Sequence, residues 1–134
     1  MRLLPLGLAL LAAGCGSLLG PDEKRVIGII GNGSGIEVPA TVQAGQDFTV
    51  TIPTGWRNTC AREDGTEVQL RAASATVTPY DRVTEGAMCG QAPQGFTHVA
   101  TLRFSQPGTA VVNIRGRPSH EQGAQTIRRT VIVQ

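Results

Sequence analysis

The two histidines of this 134-residue chain are the side chains that could supply the base of a Ser-His-Asp site. A Ser-His-Asp site needs a histidine that faces a nucleophile and is oriented by a carboxylate. His98 lies in or beside a predicted strand, and His120 lies at a predicted loop tip between Ser119 and Glu121. Because no nucleophile elbow accompanies either histidine, both are interpreted as solvated surface residues, and no catalytic residue is assigned.

Sulfur-containing side chains offer two further kinds of chemistry. Met88, Cys89 and His98 supply the soft ligands that copper prefers, but such a site also needs a second histidine and a closer spacing of its ligands. No metal and no cofactor are therefore predicted. Thiol–disulfide exchange would require a C-x-x-C motif beside a helix, whereas Cys60 and Cys89 lie far apart in the sequence. We therefore expect that the protein is not an enzyme.

The third cysteine ends an apolar segment near the start of the chain. Residues 3–15 read LLPLGLALLAAGC and follow an arginine. A positive charge, an apolar run and then small residues is the order found in a secretory signal peptide. The run is shorter than the roughly 18 residues of a membrane-spanning helix. Ala13, Gly14 and Cys15 resemble the lipobox of a bacterial lipoprotein signal peptide, although Ala12 holds a position usually filled by leucine.

The lipoprotein resemblance implies that residues 1–14 are removed and that Cys15 carries the lipid. Two or three acyl chains would give a firm membrane anchor. Gly16 after the cysteine, with no aspartate there, is similar to outer-membrane lipoproteins of bacteria with two membranes. The implied location is the cell envelope, at the outer membrane if the organism has one. The alternative is an ordinary secretory signal peptide with an incidental cysteine.

The remaining chain is sized and charged like one ordinary domain. Its basic residues, 12 in the whole chain including one in the signal peptide, nearly balance 10 acidic residues, so a nucleic-acid partner is not expected. Residues 15–25 are predicted to form a lipidated tether, and residues 26–134 one domain.

Export would leave Cys60 and Cys89 as an even pair in an oxidising compartment, and a disulfide between them is predicted. A loop predicted over residues 54–65 holds Cys60 and the only tryptophan, Trp56, beside Arg57. An aromatic side chain next to an arginine on such a loop is typical of a binding hot spot. The alternative is that Trp56 packs over the disulfide.

Strict alternation of apolar and polar residues predicts β-strands, and no stretch has a helical period. The clearest alternating stretches are residues 48–52, 100–104, 110–115 and 127–133. A turn at residues 105–108 predicts a hairpin between the second and third of these strands. Residues 81–95, like 54–65, are predicted to be irregular.

Residues 39–52 follow P-x-x-V-x-A-G-x-x-F-x-V-x-I, and residues 104–112 follow F-x-x-P-G-x-A-x-V. These patterns resemble the first two and the last strands of bacterial Ig-like domains. The resemblance implies an all-β fold, an antiparallel Ig-like β-sandwich of about seven or eight strands, preceded by a cleaved signal peptide. It assigns no site residues.

We therefore expect an envelope lipoprotein whose domain acts as a non-catalytic binding or structural module. Its partners would be the membrane, through Cys15, and an envelope protein, through the loops at residues 54–65 and 81–95. One alternative is a small metal-handling protein or enzyme of the envelope. Another is an inhibitor that presents its stapled loop to a protease.

Overall fold

A computed structural model of the protein describes residues 22–85 and 88–134. Within these residues the chain forms eight β-strands and no helix, which confirms the all-β prediction. The strands are β1 (Glu23–Ile27), β2 (Thr41–Val42), β3 (Asp47–Trp56), β4 (Ala61–Leu70), β5 (Ser74–Thr84), β6 (Gln94–Arg103), β7 (Gly108–Gly116) and β8 (Gln125–Val133). The predicted signal peptide, Cys15 and the tether up to residue 21 lie outside the described residues, whereas residues 23–25, predicted as the end of the tether, lie in β1.

Two sheets divide the strands between them. The larger has the order β1-β5-β7-β8-β2, with β4 also paired to β5, and the smaller consists of β3 and β6. Most pairs are antiparallel, but β5–β7 and β2–β8 are parallel, so the prediction of a purely antiparallel arrangement is wrong in this respect. β7 runs parallel to β5 because the strand between them in sequence, β6, lies in the other sheet and returns the chain to its original direction.

Residues 105–108 connect the two sheets and do not close a hairpin. β6 pairs with β3, whereas β7 pairs with β5 and β8, so the predicted hairpin is wrong. Both segments still show clean alternation because each presents one face to the same core, where Phe104 is 1% and Ile114 0% exposed. Alternation identifies the buried face of a strand without identifying its pairing partner.

The strands also extend into both predicted loops. β3 runs unbroken through Pro53, and β5 runs unbroken through Pro79. The Thr51 amide points away from β6 and donates to the Glu37 carbonyl. Pro53 is two residues further along β3, so its nitrogen faces the same side, and its missing N–H breaks no hydrogen bond between β3 and β6. The pairing of β5 with β7 ends at Val77, and its pairing with β1 begins at Tyr80. Pro79 lies in the gap between these two pairings. Both prolines are therefore tolerated inside strands.

One hydrophobic core lies between the two sheets and takes residues from both. The predicted inward sets of β3, β6, β7 and the end of β8 are all in it, and the rings of Phe48 and Phe104 lie 5.7 Å apart within it. The most completely buried apolar members are Val50, Ile52, Val77, Val112, Ile114 and Val131. The core holds the two sheets together. The loops at the two ends of the strands lie outside it.

Candidate functional site

Cys60 and Cys89 form a disulfide, as predicted, with their Cα atoms 5.4 Å apart. Beside the bridge, the Thr59 amide donates to the Gly90 carbonyl at 3.1 Å. The Gly90 amide donates in return to the Thr59 hydroxyl at 2.7 Å. The bridge and these two hydrogen bonds hold the β3–β4 connection against the segment that precedes β6.

Trp56 ends β3 and is half-buried, and Arg57, the next residue, is exposed. The Trp56 ring packs against His120, with centroids 4.7 Å apart and planes inclined by 58°. Trp56 therefore has an aromatic partner in the β7–β8 connection. The end of the domain that these contacts join is called the disulfide end below, and it comprises residues 56–60, 88–90 and 117–124.

The loop that carries His120 is held by its own hydrogen bonds. The Arg117 guanidinium donates to the Gln122 carbonyl at 3.1 Å and to the His120 carbonyl. Nε2 of His120 is buried and has no hydrogen-bond partner within the described residues. Burial and the positive charges of Arg57 and Arg117 lower the pKa of His120, against the opposing effect of Glu121. His120 is therefore only partly exposed to solvent, because its ring packs against Trp56.

The described chain begins at the disulfide end. The Glu85 amide, just after β5, donates to the Asp22 carbonyl at 2.8 Å, and the Thr84 amide donates to the Cys60 carbonyl at 2.8 Å. β1 and β4 therefore flank the last residues of β5 on opposite sides. With neighbouring strands about 4.8 Å apart, the start of β1 lies about 10 Å from Cys60.

A buried polar cluster lies just inside the disulfide end. His98, Asp81 and Thr54 are 1%, 1% and 5% exposed. Nε2 of His98 lies 2.8 Å from Oδ1 of Asp81 and 3.2 Å from the Thr54 hydroxyl. The interpretation of His98 as a solvated residue is therefore wrong. Its even-numbered position follows the same alternation that buries Ala100 and Leu102, and this signal could have predicted its burial.

The other ring nitrogen of His98 faces β4. A β-bulge interrupts the pairing of β4 between Glu63 and Thr66, and Gly65 within it has φ of 90°, which favours glycine. Nδ1 lies 3.1 Å from the Gly65 carbonyl oxygen, 3.1 Å from the Thr66 hydroxyl and 3.4 Å from Oε1 of Glu63. Since His98 itself lies on β6, its ring joins both strands of the smaller sheet to β4 and β5 of the larger one.

Asp81, His98 and Thr66 present a carboxylate, an imidazole and a hydroxyl in the order of a catalytic triad. A catalytic role also requires substrate to reach the histidine, and the His98 side chain is 0% exposed. Two clefts of about 440 Å³ and 230 Å³ on the described surface are lined by none of the three residues. The cluster is therefore interpreted as a cross-link between the sheets.

Close packing around Asp81 requires a glycine. Oδ2 of Asp81 is buried without a hydrogen-bond partner among the described residues. A Cβ atom added to Gly28 would lie 3.2 Å from this oxygen and 2.5 Å from Cγ2 of Thr54. The second distance is too short for any side chain, so the backbone at residue 28 can approach the cluster only as glycine.

Ion pairs fix β1 to its neighbours. Arg25 donates to Asp64 at 3.2 Å, and its guanidinium lies 3.9 Å from the ring centroid of Tyr80. Arg82 donates to the same carboxylate at 2.8 Å. Desolvation acts to raise the pKa of Asp64, but the hydrogen bond from Arg82 and the charges of Arg82, Arg25 and Arg62 outweigh it and lower that pKa. β1 is thus attached by side chains as well as by its backbone pairing with β5.

The ligands considered for copper do not come together. Met88 is fully exposed, Cys89 belongs to the disulfide, and His98 is buried. Across residues 22–85 and 88–134, no group of three or more His, Cys, Asp or Glu side chains could hold a metal ion.

The same residues include no helix long and apolar enough to cross a membrane. Comparisons with protein-family models, curated proteins and solved structures find no match to the chain.

Proposed function

We propose that this protein is a lipid-anchored protein of the cell envelope whose β-domain acts as a non-catalytic binding or structural module. The lipobox-like sequence that ends at Cys15 supports the anchor. A tether of a few residues leads from this cysteine to Asp22, where the described domain begins. The domain would therefore work close to the surface of the membrane that carries it.

As part of the same proposal, we assign the domain to the Ig-like β-sandwiches. Two sheets that share one core, and a chain that crosses between them from β5 to β6 to β7, support this assignment. The disulfide joins two loops at one end, whereas in immunoglobulins it joins two core strands. The bridge would thus make the loop surface more rigid, and it would not cross the core.

The observation that carries the binding role is the pairing of Trp56 with Arg57 at the disulfide end. Trp56 is half-exposed at the end of β3, next to the loop held by the disulfide, and Arg57 is exposed with no ion pair among the described residues. Aromatic and arginine side chains dominate binding energy where they are held rigidly at a surface. His98, the other candidate for chemistry, is closed to ligands by burial.

Cross-linking in intact cells of the source organism tests the binding role. A recurrent envelope component should be captured with the natural protein and lost with Trp56→Ala. Leu70→Ala is the control, because Leu70 is 52% exposed at the opposite end of the sandwich and should keep the capture. Equal capture by both variants would contradict the proposal. So would a loss of stability well above about 2 kcal/mol in Trp56→Ala, because Trp56 would then be a core residue.

Mass spectrometry tests the anchor independently. The N-terminal peptide of the mature protein should begin at Cys15 and carry the mass of a diacylglyceryl group. Cys15→Ser should remove this mass and release the protein from the membrane fraction. An unmodified Cys15 in membrane-derived protein would contradict the lipoprotein assignment.

A further inference from the structure

The length of the tether limits how far the domain can move from its membrane. Seven residues, 15–21, separate the start of the mature chain from the first described residue. Fully extended, they span at most about 25 Å. Because the described chain begins at the disulfide end, this end would lie nearer to the anchor than any other part of the domain. This step rests on the proposed lipid anchor.

The far end of the domain is the part most distant from the start of the described chain. β5 has 11 residues and runs from the far end to the disulfide end. At about 3.3 Å per residue, the β4–β5 turn therefore lies more than about 30 Å from the disulfide end. Of the two ends of the domain, the disulfide end is therefore the one that the tether keeps next to the membrane surface.

The disulfide end carries apolar, aromatic and basic side chains, which are types that bind at the headgroup region of a membrane. Met88 is exposed over its whole surface, with a relative exposure of 103%, and Trp56, at the same end of the domain, is half-buried. Tryptophan is enriched where membranes meet water, because its ring is apolar and its N–H needs a polar partner. Arg57 is exposed, and an arginine can bind a phosphate with two parallel hydrogen bonds.

The charges around His120 favour an anionic surface. Burial is the main reason that the pKa of His120 is lowered, and the positive charges of Arg57 and Arg117 lower it further against the effect of Glu121. Two of these three charged neighbours are positive and one is negative, so the charges around His120 sum to a positive value beside Trp56. A lipid phosphate placed there would be stabilised by the same charges.

We infer that the disulfide end docks on the membrane that carries the anchor, with Met88 and Trp56 in the headgroup region and Arg57 bound to lipid phosphates. The domain would then be held against the bilayer in one orientation. A short tether gives the docking surface an effective concentration of about millimolar, so contacts with a dissociation constant below about millimolar would be occupied most of the time.

The single tryptophan of the chain makes this inference directly measurable. The lipidated protein is reconstituted into vesicles of phosphatidylcholine and phosphatidylglycerol, some of which contain lipids with brominated acyl chains. Docking predicts quenching of Trp56 fluorescence by the brominated lipids and protection from aqueous acrylamide. It also predicts that high salt and vesicles of phosphatidylcholine alone both reduce the quenching, because salt screens the attraction of Arg57 to anionic lipid.

Matched substitutions separate docking from general effects of charge and hydrophobicity. Arg57→Gln and Met88→Gln should each remove much of the quenching. Arg71→Gln and Leu70→Gln make the same changes at exposed residues of the far end and should leave it intact. Equal losses in the two sets of variants would overturn the inference.

The anchor is read separately, by flotation of the protein with the vesicles and by the mass of the Cys15 peptide. A protein that has no lipid and does not float contradicts the proposed function itself. A protein that floats, but whose Trp56 is quenched by acrylamide and not by brominated lipid, retains its anchor and refutes the docking. In that case the disulfide end would face away from the bilayer and be open to a protein partner.

Discussion

Replacing either member of the buried Asp81–His98 pair should destabilise the domain strongly, whereas replacing both should cost little more than replacing one. The two groups lie 2.8 Å apart, and each is 1% exposed. Removing one member of a buried pair typically costs about 3 to 5 kcal/mol, since the other is left without its partner and away from water. We therefore expect about this loss for Asp81→Val and for His98→Leu.

The double variant should be far from additive. In the double variant the orphaned member of the pair is also replaced by an apolar side chain. The other partners of His98, such as the Thr54 hydroxyl, lose it equally in His98→Leu and in the double variant, so their loss cancels in the cycle. The coupling energy should therefore be about 2 kcal/mol or more. Each free energy of unfolding can be measured in urea by the fluorescence of Trp56. A loss of 3 to 5 kcal/mol is a large part of the roughly 5 to 15 kcal/mol that holds a typical domain folded.

The exposed pair of Asp47 and Arg103 is a matched control. Its contact distance is 2.7 Å, but the two side chains are 57% and 56% exposed. The cycle of Asp47→Val and Arg103→Leu should give a coupling of less than about 1 kcal/mol, because water screens an exposed pair. Equal couplings in the two cycles, or single variants at Asp81 and His98 that each cost under about 1 kcal/mol, would refute the role assigned to burial.

Three further outcomes follow from the same contacts. Folding lowers the pKa of His120 from its usual 6.5, so below that pH the unfolded chain binds more protons than the folded one. The free energy of unfolding should therefore be unaffected by His120 above about pH 6.5 and should fall as the pH drops through this value. His120→Gln should flatten this dependence in urea titrations at pH 8 and pH 5. Gly28→Ala should cost about 1 to 3 kcal/mol by overpacking, whereas Gly123→Ala, which meets open space, should be nearly neutral in the same assay. Replacing Cys60 and Cys89 together by serine should cost about 3 to 4 kcal/mol, and alkylation of the natural protein without reductant should find no free thiol at either position.

The buried faces of the strands could be predicted from sequence because a strand alternates its side chains strictly. Phe48, Val50 and Ile52 lie in the core as expected. The same rule applied to polar residues would have predicted that His98, two residues before Ala100, also faces the core. The solvated interpretation failed because residue type was given more weight than position.

The pairing of the strands could not be predicted in the same way. Alternation in β6 and β7 is equally compatible with a hairpin and with two strands in opposite sheets, since both bury one face. The bulge in β4 that brings Gly65 to His98 depends on contacts between residues far apart in sequence. The partnership of Trp56 with His120 likewise joins two loops that only the folded chain brings together.

The attachment of β1 determines how the domain responds to tension. β1 begins at the disulfide end and runs inward along β5, from the Glu23–Thr84 pair to the Ile27–Tyr80 pair. A force applied through Asp22 and directed out of this end acts along the strand axis. It therefore loads all the rungs of the β1–β5 ladder in shear at once, whereas a sideways pull would open them one at a time. The cross-strand contacts of Arg25 with Asp64 and Tyr80 oppose the same sliding. Tension from the N-terminal side thus meets the mechanically stronger direction of the sheet.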